Sequence, residues 1–270
     1  MLKDITIGQY YPVQSFLHRL DPRTKLICLF LYMVGLFMIK DLPAFSYLLL
    51  FTILIIAGSG VPLRVLLKGL KPMWLLLLLT MVLNFFMAAE GDALWQWRFL
   101  KITEAGLTRG VFMALRLVLL LNVTALLTLT TTPILLTDGL ESVMKRCFIP
   151  MAHELAMMMT IALRFIPTLI DEADRIMKAQ IARGADFETG GLVKKAKSLI
   201  PLLIPLFVSA FRRADELAMA MEARCYRGGE GRTRLRQLRF GPADYAAFVA
   251  TICFVCFVVA DRFWLKIFHR

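Results

Sequence analysis

Two arginines occupy equivalent places in a pattern that the sequence repeats. The stretch ADRIMKAQIARG begins at Ala173, and ADELAMAMEARC begins 41 residues later at Ala214. Both fit Ala-Asp, four residues, Ala, two residues and Ala-Arg, so Arg183 and Arg224 hold matching positions. A guanidinium presents its N–H donors in a planar fork, which can bind a carboxylate or backbone carbonyls. The repeat therefore predicts two similar partner subunits, one for each arginine.

The neighbours of each arginine are small. A basic residue at a helix C-terminus also complements the helix dipole, which contributes only ~0.3–1 kcal/mol. That role explains one arginine, but it does not explain why the Ala and Asp positions recur at the same offset. Small neighbours let a helix end approach another protein closely. The predicted partner-binding residues are Ala182, Arg183, Gly184, Ala223, Arg224 and Cys225.

Several resemblances to catalytic motifs do not hold. DEAD at 171–174 occurs without a Gly-rich phosphate loop of the G-x-x-x-x-G-K type, and HELAM at 153–157 has Met157 where a zinc-protease helix has its second histidine. The pair Cys253 and Cys256 lies in the apolar run TICFVCFV, which favours two small helix residues over a redox pair.

No nucleophile with an adjacent base is evident, and the carboxylates of Glu154, Asp171 and Glu172 are interpreted as helix faces. The sequence therefore predicts no catalytic residue, no metal site and no cofactor in this chain, which is not expected to be an enzyme.

The composition indicates an integral membrane protein. Of the 270 residues, 59% are hydrophobic, against about 45–50% in soluble domains. The apolar residues gather in runs such as MWLLLLLTMVLNFFMAA, which suit helices that satisfy their backbone polar groups inside lipid. The net charge of +12 is explained by Lys and Arg retained on the cytoplasmic side, and no nucleic-acid module is visible.

The apolar runs predict an all-α polytopic fold with about five transmembrane helices. We expect Lys25 and Lys40 to extend from the ends of the short first run toward the membrane interfaces, and Trp95 and Trp97 to anchor a loop at an interface. For Arg116 in the fourth run, extension toward the loop and a functional role both stay open. The five predicted spans cover residues 26–39, 43–58, 72–89, 109–132 and 243–260.

The composition of the chain changes near residue 133. Residues 134–242 hold 17 of the 32 Lys and Arg and 12 of the 20 Asp and Glu, interleaved with apolar residues at helical spacing. This predicts long amphipathic helices, with Thr137 or Asp138 capping the first one. Pro167 is expected to kink or divide the next helix, and Pro201 and Pro205 to break the last.

The predicted domains are a membrane domain at 1–133, a cytoplasmic coupling-helix domain at 134–242 and a last span with its tail at 243–270. The distribution of Lys and Arg places the N-terminus and residues 134–242 in the cytoplasm. The side of the C-terminus stays open, because five spans place it outside although its tail is basic.

The order of these features resembles the T component of energy-coupling-factor (ECF) transporters, a family of membrane coupling subunits in prokaryotes. The resemblance rests on LHRLDPRTKL at 17–26, four apolar spans, and then ARGADF and EARCYRGG in the amphipathic region. It covers nearly the whole chain. Ala182-Arg183-Gly184 matches the family motif, whereas the second copy has Cys225 where glycine is expected.

The resemblance implies a division of labour among several subunits. Each arginine motif would seat in one of two ABC-type ATPases, which bind ATP and Mg²⁺. The chain would couple their ATP hydrolysis to movement of a membrane S component that captures a vitamin or a metal ion. The transported substrate, and whether the two ATPases are identical, stay open. The residues alone also leave open a membrane-protein assembly scaffold without an ATPase partner, or a membrane enzyme acting on phosphorylated substrates.

Overall fold

Helices dominate the chain in the computed structural model, which describes residues 10–39, 42–87, 93–97, 100–185, 187, 191–229 and 238–268. The helices are α1 (Phe16–Arg19), α2 (Pro22–Met38), α3 (Leu42–Ser59), α4 (Leu63–Leu70), α5 (Trp74–Met87), α6 (Glu104–Thr130), α7 (Pro133–Arg146), α8 (Ala152–Ala182), α9 (Leu192–Ala223) and α10 (Pro242–Phe268). A short antiparallel hairpin of β1 (Ala93–Trp97) and β2 (Leu100–Thr103) precedes α6. Trp95 and Trp97 both lie on β1. Their role as interfacial anchors stays a prediction.

The prediction of an all-α polytopic membrane protein is confirmed. Within the described residues, the stretches long and apolar enough to cross a bilayer are Leu63–Phe85, Gly106–Thr130, Ala152–Ala182 and Pro242–Asp261, and Ala44–Ser59 is a shorter apolar helix. Leu63–Phe85 extends the predicted third span toward the N-terminus through α4 and a 3-10 turn at Lys71–Met73. Ala152–Ala182 qualifies by length and composition, although the sequence places it in the amphipathic region.

Contacts between Cα atoms divide the chain into two units. The first, which we call the membrane unit, comprises Gly8–Leu140 and Leu238–Arg270. The second, which we call the motif unit, contains Glu141–Gln237 and therefore both arginine motifs. The boundary within the chain falls inside α7.

The core of the membrane unit lies where α2, α3, α6 and α10 pack. Tyr32 on α2 and Thr52 on α3 share a buried hydrogen bond of 2.7 Å between their hydroxyl oxygens. Phe51 stacks on Phe254 of α10 with ring centroids 4.3 Å apart. The Thr52 hydroxyl also donates to the Leu48 carbonyl at 2.8 Å, so both buried hydroxyls have hydrogen-bond partners inside the apolar core.

The entry to α2 joins this helix to the start of α10. Asp21 caps α2 by accepting a hydrogen bond from the Arg23 backbone N–H. The backbone N–H of Asp21 donates to Asp244 Oδ1 at 2.8 Å, while Asp244 Oδ2 accepts from the Gly241 N–H at the start of α10. The Arg23 guanidinium lies 4.2 Å from the centre of the Phe240 ring. The LDPR part of the N-terminal motif is therefore a structural junction.

Lys25 corrects one expectation from the sequence. Instead of extending to an interface, it is buried, and its Nζ donates to the Thr130 carbonyl at 2.9 Å and to Thr131 Oγ1 at 3.0 Å. These acceptors lie at the C-terminus of α6, where the helix leaves carbonyls without partners and carries partial negative charge. The end of α6 therefore provides the hydrogen-bond acceptors for the Lys25 ammonium that water at the interface was expected to provide. Lys40 lies outside the described residues.

Arg116 is likewise used within the fold. Its Nη2 donates to the Ile39 carbonyl at 2.7 Å, next to the C-terminus of α2. The side chain thus satisfies a carbonyl that the helix leaves free. The structure favours a role in packing for Arg116.

Candidate functional site

The motif unit is built from two long helices that proline does not divide. α8 runs through Pro167, and α9 runs through Pro201 and Pro205. The expectation that Pro201 and Pro205 break the last helix is therefore wrong. A proline removes one N–H donor, so the carbonyl four residues earlier loses its helical partner. For Pro205 that carbonyl belongs to Pro201, and Gln180 Nε2 of α8 donates to it at 3.4 Å.

The preceding helix also begins elsewhere than expected. α7 starts at Pro133, so neither Thr137 nor Asp138 caps it. Proline suits the first helical position because its fixed φ matches the helix and its missing N–H would have no partner there. The hydroxyl of Thr137 instead donates to the Ile134 carbonyl inside the first turn.

Three contacts show that α8 and α9 run antiparallel. Near the hairpin bend, Gln180 meets Pro201, and in the middle Arg213 Nη2 lies 3.3 Å from Glu172 Oε2. At the far end, His153 close to the start of α8 lies 3.3 Å from the hydroxyl of Tyr226 just after α9. Residues later in α8 thus meet residues earlier in α9. The C-termini of the two helices point in opposite directions.

The C-terminus of α8 is closed by a Schellman motif. The Gly184 N–H donates to the Ile181 carbonyl at 2.9 Å, and the Ala185 N–H donates to the Gln180 carbonyl at 3.0 Å. This pair of bonds requires a left-handed residue directly after the helix cap. Gly184 supplies it with φ of +87°, and Arg183 is the cap residue.

The C-terminus of α9 repeats the same geometry with a different residue. The Cys225 N–H donates to the Glu222 carbonyl at 2.8 Å, and the Tyr226 N–H donates to the Met221 carbonyl at 3.1 Å. Arg224 is the cap residue, and Cys225 takes the left-handed position with φ of +55°. The departure from glycine therefore does not change the backbone of the second helix end. It adds strain instead, because a Cβ crowds the carbonyl in this conformation.

Both arginines project from these ends into open space. The side chains of Arg183 and Arg224 are exposed, and neither forms an ion pair or hydrogen bond with another residue that the structure describes. Each follows the Glu172–Arg213 pair by eleven positions on its own helix. At 1.5 Å per residue, each arginine is about 16 Å from that pair, so the two ends are on the order of 30 Å apart.

The other predicted partner-binding residues lie directly before and after the two arginines. Ala182 and Ala223 are the last residues of α8 and α9, and both are exposed. Gly184 and Cys225 are exposed in the left-handed turns. The structure thus gathers each triplet into one helix end and keeps the two ends apart.

A polar cluster that no sequence motif predicts lies beside the second end. Glu141 of α7 is 4% exposed, and its Oε1 lies 3.0 Å from both Lys145 Nζ and His153 Nδ1. His153 Nε2 then meets the Tyr226 hydroxyl. A single histidine in an apolar stretch carries no motif, so only its position in space reveals this cluster.

One face of α9 is apolar and exposed. It carries large apolar side chains of the kind that soluble proteins bury. Among them are Phe207, Val208 and Phe211, each more than half exposed. Exposed apolar surface of this kind marks contact with lipid or another protein.

Comparison with known proteins matches nearly the whole chain. The family model described as cobalt transport protein, CbiQ, matches residues 13–235. The energy-coupling factor transporter transmembrane protein EcfT of Clostridium kluyveri is 54% identical over 268 residues, which cover 98% of this chain and 99% of that protein. The EcfT proteins of Acidaminococcus fermentans and Bacillus subtilis are 57% and 49% identical over 247 and 255 residues, covering 90% and 93% of this chain and 91% and 96% of those proteins.

Proposed function

The chain belongs to the CbiQ family of transporter membrane subunits, which includes the EcfT proteins, and on that premise we propose that it couples two ATPases to a substrate-capturing membrane subunit. The EcfT relatives support the assignment to the T component of an energy-coupling factor transporter. Within that assignment, the chain itself binds no nucleotide. ATP and Mg²⁺ belong to the partner ATPases, and the captured substrate is a vitamin or a metal ion.

The observation that carries the proposal is the pair of matched arginine ends. They share one backbone geometry, and they lie at opposite ends of an antiparallel helix pair. A single partner surface would need only one such end. Two similar ends on the order of 30 Å apart suit two similar partner subunits, each offering a carboxylate or carbonyl pocket for one guanidinium.

The helix pair suits the transmission of movement between subunits. The ends are closed by their own backbone bonds, so a load on either arginine passes into a formed helix instead of unwinding it. The exposed apolar face of α9 is proposed to contact the S component. Apolar contacts have no fixed direction, so such a face can shift along its partner without breaking specific bonds.

The proposal includes an orientation in a prokaryotic cytoplasmic membrane. The N-terminus and residues 134–242 face the cytoplasm, where the ATPases are found. Its support is the excess of Lys and Arg in those segments.

Charge reversal at both ends tests the proposal. The chain is co-expressed with the ABC-type ATPases and purified through an affinity tag, as wild type and as Arg183→Glu with Arg224→Glu. We expect both ATPases to co-purify with the wild type and to be lost from the double variant, while membrane insertion is unchanged. A contact between buried charged groups is typically worth about 2–5 kcal/mol when one partner is removed, which suffices for loss during purification.

A second double variant controls for charge. Arg175 and Arg212 are exposed on α8 and α9 but lie before the helix ends. Arg175→Glu with Arg212→Glu changes the net charge by the same amount, and this variant should retain both ATPases. Retention of the ATPases by the Arg183 and Arg224 variant would show that the arginine ends do not hold them.

A further inference from the structure

The segment that follows the second arginine is fixed against the start of α8. The Tyr226 hydroxyl lies 3.3 Å from His153 Nε2. Gly229 lies against the same ring, since a Cβ built on it would lie 2.7 Å from His153 Cγ. Two residues within five positions of Arg224 therefore pack on a single imidazole.

The imidazole itself is held from a third element. His153 Nδ1 lies 3.0 Å from Glu141 Oε1, and Lys145 Nζ lies 3.0 Å from the same oxygen. With both ring nitrogens engaged, the ring has one orientation. Nδ1 faces the Glu141 carboxylate and Nε2 faces the Tyr226 hydroxyl, so each ring nitrogen has a hydrogen-bond partner.

At the first arginine end, the residues that the structure describes make no comparable side-chain contact after the helix cap. Its left-handed residue is followed by Ala185, whose methyl group makes no hydrogen bond, and a Cβ built on Gly184 would meet no atom within 4 Å. Among the described residues, side chains therefore brace the backbone motif at Arg224, whereas the contacts at Arg183 are its two backbone bonds and the Gln180 bond to the Pro201 carbonyl.

We propose that His153 is a positioning residue for the second arginine end, holding Arg224 in the orientation that one of the two ATPases binds. The proposal rests on the proposed function, in which each end meets one ATPase. The brace preorganises the second end, so this end loses less conformational freedom when its ATPase binds.

Spin labels at the two left-handed positions test the brace without any ATPase. In a background where Cys28, Cys147, Cys253 and Cys256 are replaced by serine, Cys225 carries the label at the second end. Gly184→Cys, combined with Cys225→Ser, carries it at the first. We expect a less mobile nitroxide at Cys225 than at the first end. Tyr226→Phe and His153→Ala should raise the mobility at Cys225 and leave the first end unchanged, and Tyr245→Phe, on an exposed tyrosine of α10, should change neither.

The binding readout separates positioning from mere stability. With both ATPases present, His153→Ala should speed dissociation of the ATPase at the second end about fivefold, which corresponds to the loss of one hydrogen bond, while the contact at the first end keeps its rate. His153→Gln, which can still bond to the Tyr226 hydroxyl, should restore part of the difference. Equal effects on both ends, or unchanged nitroxide mobility at Cys225, would overturn the proposal. The proposed function is judged separately, by whether Arg183→Glu with Arg224→Glu releases the ATPases.

Discussion

The two arginine ends share a backbone geometry, and the described residues show two differences: the residue in the left-handed position and the contacts that follow it. At both, a cap arginine is followed by a left-handed residue and closed by two backbone hydrogen bonds of 2.8–3.1 Å. At the first, glycine takes the left-handed position, and a Cβ built on it would meet no described atom within 4 Å. At the second, cysteine takes it, and Tyr226 with Gly229 packs on His153.

The difference shows that a repeated local pattern does not imply a repeated environment. The Schellman motif needs only a left-handed residue and neighbours within five positions, so a 12-residue pattern can encode it twice. A cysteine in that conformation costs about 1 kcal/mol more than glycine. The second end carries this strain, and the first end avoids it with Gly184.

The largest expected effect comes from Gly229. Gly229→Ala places a methyl group against the His153 ring, which Glu141 and Tyr226 hold in place, so the segment after Arg224 must move. We expect a local loss of about 1–3 kcal/mol, as for overpacked sites. Hydrogen exchange of the Tyr226 amide should become faster, with no change at Ala185.

Gly69→Ala serves as the matched control for this prediction. A Cβ on Gly69 would meet no atom within 4 Å, so the same chemical change should leave the Tyr226 amide as it is. If the Tyr226 amide exchanged equally slowly in Gly229→Ala and in the wild type, the contact of Gly229 with His153 would not stabilise the second end.

An exchange of the left-handed residues gives a smaller effect with opposite signs. Gly184→Cys should destabilise the first end by about 1 kcal/mol, and Cys225→Gly should stabilise the second by up to about the same amount. The Ala185 amide should then exchange faster and the Tyr226 amide more slowly. Changes of the same sign at both ends would mean that backbone strain is not what distinguishes them.

The smallest expected effect concerns the ion pair that lies between the two ends. Glu172 and Arg213 are partly exposed, at 27% and 36% of the side chain, so solvent screens their attraction. A double-mutant cycle of Glu172→Ala and Arg213→Ala, read by thermal unfolding, should give a coupling of about 0.2–1 kcal/mol. A coupling of several kcal/mol would make this pair, rather than the helix ends, the main structural link in the motif unit.

The sequence predicted the class of the protein and the form of the two helix ends. Apolar runs indicated a polytopic α-helical membrane protein, and the family membership indicated by LHRLDPRTKL and the arginine motifs is confirmed by the matching family model. The expectations that failed concern single residues: Lys25 is buried, Pro201 and Pro205 lie inside α9, and α7 begins before Thr137. Lys25 depended on the end of α6 and the Pro201 carbonyl on Gln180, partners that the sequence does not identify, whereas the start of α7 follows from Pro133 at its first position.

What the sequence determined by itself is local: helices, their C-terminal turns, and the positions of Arg183 and Arg224 on them. These follow from hydrogen bonds that span at most five residues, so the nearby residues suffice to specify them. Only the tertiary structure decided that the two ends point in opposite directions and that one of them is braced. Those features depend on pairs such as Glu172 with Arg213 and His153 with Tyr226, separated by 41 and 73 residues. Contacts over such separations are selected by packing of whole helices, and no local pattern encodes them.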